Sequence, residues 1–111
     1  MFCASVTYPI TEGGTFDLDY FVDRYVPMFV GFLGDNCARF EVRRGLQTPG
    51  APAPTYVCVA NFWVRSGEEF AAALQRHGEA LYGDIPKFTN IEPIRGWDAV
   101  ISSSESVDQA V

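Results

Sequence analysis

Positive charge is scarce in this sequence. Eight Lys and Arg stand against fourteen Asp and Glu, a net charge of −6 over 111 residues, and only Arg43-Arg44 brings two basic residues together. A phosphate backbone or an anionic membrane surface requires a basic patch, so neither nucleic acid nor membrane is expected as a partner. The three cysteines, Cys3, Cys37 and Cys58, are widely spaced and odd in number. That fits neither a disulfide framework nor a zinc site, and they read as small buried hydrophobes. No apolar run approaches the roughly 18 residues of a membrane span, and no basic stretch followed by an apolar one opens the chain as a secretion signal would. A cytoplasmic protein is expected. Also missing are a Gly-rich phosphate loop, a G-x-S-x-G elbow, an H-E-x-x-H helix and a C-x-x-C pair. Nucleotide, serine-hydrolase and common zinc chemistries therefore lack a site, and neither cofactor nor metal is expected.

What is present is apolar and aromatic: 48% hydrophobic and 14% aromatic residues, enough for the core of one domain. Phe2 to Tyr8 alternates as a strand bounded by Pro9. Asp17 suits the N-cap of a first helix, with Phe16 and Phe21 as a hydrophobic staple. Leu18, Phe21, Val22, Tyr25, Phe29 and Phe32 form its apolar stripe, and Pro27 should kink or break it beside Tyr25. Cys37 to Gly45 alternates as a second strand near an edge, and the proline-rich stretch from Gln47 to Thr55 reads as a surface loop. Tyr56 to Val64 is apolar at nearly every position, as in a central strand covered on both faces. Ser66 with Glu69 forms a capping box, and a second helix runs to Gly83, placed as its left-handed terminator before Pro86. A last strand spans Ile91 to Ile101, with a bulge expected from Pro93 and Gly96. Residues 1–101 make the domain, and 102–111 a polar, frayed tail.

The order is βαββαβ: an α+β, ferredoxin-like protomer with a four-stranded antiparallel sheet and two helices on one face. Two helices leave the other face bare, yet the third strand needs cover on both. A homodimer through the sheet faces is the simplest cover.

His77 shares a helical stripe with Phe70, Leu74 and Leu81 and should point inward. A lone histidine on such a face is more often a core residue with a satisfied hydrogen bond than a catalyst. Tyr25, Tyr8 and Tyr82 each offer a phenol able to polarise a carbonyl, although a tyrosine in a stripe more often packs. Asn61, inside an otherwise apolar strand, either bonds a loop or faces a ligand. Asp84 and Asn90 read as turn stabilisers. Phe62, Trp63 and Trp97 are candidates for an aromatic pocket or for ordinary packing.

Tyr8-Pro9, Phe16-Asp17 with Tyr20, Pro27-Met28, Pro54 before Tyr56, Phe70 seven before His77, and above all Asp84-Ile85-Pro86 with Phe88-Thr89-Asn90-Ile91 resemble EthD-like proteins. These belong to the dimeric α/β-barrel superfamily, and the likeness spans roughly residues 1–101. It implies a ferredoxin-like protomer, a sheet-to-sheet dimer and a cleft between helices and sheet. Where the family usually carries two further histidines, this chain has Tyr25 and Asn61, so a three-histidine metal or haem role cannot be carried over. The expectation is a small cofactor-free enzyme that performs acid/base chemistry through His77 and Tyr25 on an apolar carbonyl-bearing, aromatic or polyketide-like molecule. Isomerase, cyclase or dehydratase types fit better than an oxygenase, because imidazole titrates near neutrality and can shuttle a proton. Tyr8, Asn61, Phe62, Trp63 and Tyr82 are the expected substrate contacts. The alternative is a noncatalytic binding or accessory protein of an oxygenase or biosynthetic pathway.

Overall fold

The alternating segment at the start becomes β1, Phe2–Pro9, with Ala4 and Tyr8 buried on the face that the helices cover. It belongs to a computed structural model that describes residues 1–105. Asp17 caps the first helix, its carboxylate accepting from the Tyr20 N–H at 3.0 Å, and the Phe16 and Phe21 rings meet at 5.3 Å as the expected staple. The helix is not uniform. A short α1, Leu18–Tyr20, passes into a π turn, Phe21–Tyr25, and resumes as α2, Val26–Leu33. Pro27 has no N–H to give, and the wider turn just before it, where the Val26 N–H reaches back five residues to the Phe21 carbonyl, absorbs the missing donor. The extra residue also rotates the stripe. Val22, expected inside, is 43% exposed, while Phe21, Val26, Phe29 and Leu33 are buried.

After a 3₁₀ turn, Gly34–Asn36, come β2, Cys37–Arg44, the proline-rich loop and β3, Tyr56–Val64. The second long helix, α3, Gly67–Asp84, is capped by Ser66, whose side chain accepts from the Glu69 N–H at 3.1 Å. Gly83 does not end it in a left-handed turn, because positive φ occurs only at Gly13, Gly34 and Gly50 among the described residues. The helix instead tightens into a 3₁₀ turn, Ile85–Lys87, where Pro86 sits early enough for its missing N–H to cost nothing.

The last strand is β4, Ile94–Ala99, and the sheet order is β2-β3-β1-β4, every neighbour antiparallel. This is the α+β, ferredoxin-like arrangement with β2 at an edge. The bulge expected at Pro93 and Gly96 is absent: Pro93 precedes the strand, and Gly96 pairs with Ser5 in unbroken register. A side chain at Gly96 would collide with the Ser5 hydroxyl, so the glycine serves close approach rather than a bend. The irregularities lie between Tyr8 and Pro9 and between Cys37 and Arg39.

All helices lie on one face, over Cys58, Ala60, Phe62 and Val64 of β3, each at most 2% exposed. The opposite face of β3 carries Val57, Val59, Asn61 and Trp63. Its neighbours are polar there. The Arg39 guanidinium lies 4.2 Å over the Trp63 ring, and Glu41 pairs with Arg39 at 2.7 Å and with Arg43. Of the polar tail expected over 102–111, residues 106–111 lie outside the described residues.

Candidate functional site

The turn after α3 is tied to the start of the first helix. The Tyr20 hydroxyl donates to both oxygens of Asp84 at 3.1 Å, and Lys87 reaches the same carboxylate at 3.1 Å. The Asp17 N–H donates to the Phe88 carbonyl at 2.7 Å, and the Thr89 hydroxyl donates to the Thr15 carbonyl at 2.7 Å. Asn90 accepts from the Thr15 N–H at 2.8 Å and donates to the Gly13 carbonyl at 3.2 Å. Asp84 thus ties the end of α3 to α1 and Asn90 joins two loops, beyond the local turn role expected of them. The clamp fixes Phe88, whose ring lies 4.8 Å from that of Tyr25 and 5.1 Å from that of Phe21.

Beside this clamp a cavity of about 560 Å³ opens between α3 and the β1–β4 side of the sheet. Its floor is Ala4, Val6 and Tyr8 of β1 with Phe62 of β3, and its inner wall is Phe21, Tyr25 and Phe29. Gly67, Phe70, Ala71, Leu74 and Leu81 of α3 form the roof, with Tyr82 and Ile85 at its end. Arg95 and Trp97 close the side. Paired with Val6 and Ala4, they share the helix-covered face.

Polar groups are few and gathered. The Tyr25 hydroxyl donates to the Leu81 carbonyl at 3.1 Å, bridging the π turn to α3. Burial pushes this phenol up to about 12, with the nearby Asp84 and Tyr82 adding to the shift. Tyr8 is 3% exposed, and burial raises its phenol as well, Tyr25 adding and Arg95 opposing. No hydrogen bond ties up the Tyr8 hydroxyl among the described residues, yet no fully enclosed side-chain polar atom lacks a partner there, so this hydroxyl keeps access to the cavity. Both phenols are protonated near neutral pH and act as donors. With the Tyr25 proton held by Leu81, the free Tyr8 hydroxyl and the Arg95 guanidinium form a corner suited to a carbonyl, enolate or carboxylate oxygen.

Of the residues expected at the site, the cavity gathers Tyr25, Tyr8, Phe62 and Tyr82, along with Trp97. It does not gather His77, Asn61 or Trp63. Each α3 residue turns the helix by about 100°, which sets His77 some 20° from Phe70 on the side away from Leu74. That side faces α2, and the imidazole lies flat on the Phe32 ring, centroids 3.9 Å apart and planes 2° apart. Asn61 and Trp63 alternate with Phe62 and so occupy the opposite sheet face, where Asn61 receives the Cys3 thiol at 3.8 Å. Arg95 lines the cavity beyond the residues expected there, and the signal for it is the two-residue step from Arg95 to Trp97, which on a strand puts both on one face. Asn36 is likewise beyond those expected. Its side-chain oxygen accepts from the Ser66 N–H at 2.8 Å and the Arg65 N–H at 3.1 Å, which anchors the start of α3. Among the described residues no three His, Cys, Asp or Glu side chains cluster to hold a metal ion.

No family model and no curated protein matches the sequence. Among solved structures, HapK from Hahella chejuensis superposes with a TM-score of 0.60 at 16% identity, over 96% of this chain and 100% of that one. An ethyl tert-butyl ether d (EthD) family protein from Bacillus halodurans C-125 gives 0.62 at 16% identity, over 86% and 96%. At that identity these two share the fold. An EthD-like protein from Ralstonia eutropha JMP134 superposes with a TM-score of 0.83 at 37% identity, over 93% of this chain and 95% of its own. Identity at that level across nearly the full length of both chains makes this chain a member of the EthD-like family.

Proposed function

We propose that this chain binds a small, largely apolar molecule, aromatic or carbonyl-bearing, in the cavity between α3 and β4. The observation that carries this reading is the composition of the lining: hydrophobic and aromatic walls with two free donors, Tyr8 and Arg95, beside the Tyr25 hydroxyl, which is held by the Leu81 carbonyl. A roomy apolar pocket with a few convergent polar groups is the usual form of a small-molecule site. Titrating 2-acetonaphthone while following Trp97 fluorescence in a Trp63→Phe background tests it. Saturable quenching is expected, weakened about two- to tenfold by Tyr8→Phe through loss of one hydrogen bond. Quenching that never saturates would remove the reading.

A second reading, catalysis of the isomerase, cyclase or dehydratase type, draws support from the free Tyr8 phenol kept protonated beside a guanidinium, with Tyr25 able to join it by leaving the Leu81 carbonyl. Such donors stabilise an enolate as it forms. His77, which carried the acid/base expectation, is stacked on Phe32, so chemistry in the cavity rests on Tyr8 and Tyr25. Faster deuterium exchange at the ketone methyl group in the presence of the protein is the expected sign, and no acceleration leaves binding alone. Three free thiols suit a reducing compartment such as the cytoplasm.

The dimer belongs to the same proposal. Helices cover one sheet face, and the half-buried Val57, Val59 and Trp63 on the other suit a second copy. Light scattering should give twice the chain mass at micromolar concentration, and a folded monomer would contradict it.

A further inference from the structure

Resting on the cavity as a small-molecule site, we propose that its ligand is an anion: a flat apolar molecule whose single carboxylate, or equivalent negatively charged oxygen group, is received by Arg95 with the Tyr8 hydroxyl as second donor. The first support is charge placement. This chain holds fourteen acidic residues against eight basic ones, yet Arg95 joins no ion pair among the described residues. Arg24, Arg44 and Arg76 also join no ion pair there, but none of them lines this cavity, and the remaining arginines are engaged. Arg39 and Arg43 share Glu41, and Arg65 donates to the Asp35 carbonyl at 2.6 Å. No Asp or Glu lines the cavity, so its one formal charge is the guanidinium.

The second support is where that charge acts. Arg95 pulls down the phenols of both Tyr8 and Tyr25 against the upward push of burial, so its field reaches both hydroxyls. A ligand closing over this corner removes water from the guanidinium. A neutral ligand would leave the cation uncompensated, whereas a carboxylate would meet it in a charge-assisted, bidentate bond. Beside it, Trp97 is held between Phe2, at 5.4 Å and 9°, and Phe70, at 5.1 Å and 20°. A Cβ on Gly67 would come within 3.1 Å of the Trp97 ring, so a glycine there lets the indole lie close under α3. The result is a half-exposed aromatic wall next to the cation, matched to a planar ring bearing an acidic group.

The test is displacement of the neutral fluorophore N-phenyl-1-naphthylamine by two isosteres at pH 7, 2-naphthoate and 2-naphthamide. Wild-type protein should bind the naphthoate at least about tenfold more tightly, the scale of one charge-assisted hydrogen bond. Arg95→Gln should bring the two affinities within about threefold of each other, and Arg95→Lys should restore part of the preference. Thermal melts verify that each variant is folded. Equal affinities in wild type would overturn the anionic ligand and leave the cavity reading standing, as would a preference that survives Arg95→Gln. Failure of the fluorophore and both isosteres to bind would overturn the cavity reading and this proposal with it.

Discussion

On the flank of α3 that faces α2, Ala73 is 6% exposed and His77 lies flat on Phe32; on the flank that faces β4, Gly67, Ala71 and Leu74 border open space. The same helix, within three turns, is sealed on one side and open on the other. The cause is what stands opposite. Side chains of α2 reach the first flank, whereas β4 ends the sheet and offers only Arg95 and Trp97. Close packing on one side fixes the helix, and the lack of it on the other makes room for a ligand.

The largest effect should come from the buried aromatic core at the cavity's inner wall. Phe21 is 2% exposed among Tyr8, Phe16 and Phe88, and Phe21→Ala should cost about 3–5 kcal/mol of unfolding free energy in urea titrations. Next, one methyl-bearing position on each flank can be enlarged. Ala73→Leu should overpack the sealed side and cost about 1–3 kcal/mol, while Ala71→Leu, growing into the cavity, should change stability by less than about 0.5 kcal/mol. Equal costs would erase the distinction between the flanks.

His77→Ala should be milder, about 0.5–1.5 kcal/mol from the lost ring contact, seen as a lower melting temperature. A further effect is confined to alkaline pH. Because the fold holds the Tyr25 phenol up to about 12 while an unfolded tyrosine ionises near 10, stability is complete below pH 10 and declines as pH rises through 12. Tyr25→Phe should make that decline shallower, measured as unfolding free energy between pH 9 and 12, with the buried Tyr8 phenol keeping part of it.

Much of this was legible in the chain, for reasons tied to period and capping. Alternation gave β1 and β2, Asp17 and Ser66 gave the helix starts, and the strand-helix order led to the ferredoxin-like sheet. The site was legible in half. A residue within an apolar stripe is known to face inward, but the stripe is wide enough to span two neighbours, and periodicity does not say which of them His77 meets. The π turn was foreshadowed by Pro27, yet its register shift, which turns Val22 outward, depends on hydrogen bonding that the sequence does not spell out. Asn61 and Trp63 do not share a pocket with Phe62, because a strand sends alternate residues to opposite faces. The clamp from Tyr20 to Asp84 spans too many residues for any local pattern to reveal.

The central claim is that ligand binds on the β4 flank of α3 and not on the His77 flank. It is tested most directly by titrating N-phenyl-1-naphthylamine into wild type, His77→Ala and Leu74→Trp, each confirmed folded by circular dichroism. The account predicts unchanged affinity in His77→Ala and at least about a tenfold loss in Leu74→Trp, whose indole would occupy the cavity. Binding lost in His77→Ala and retained in Leu74→Trp would contradict it.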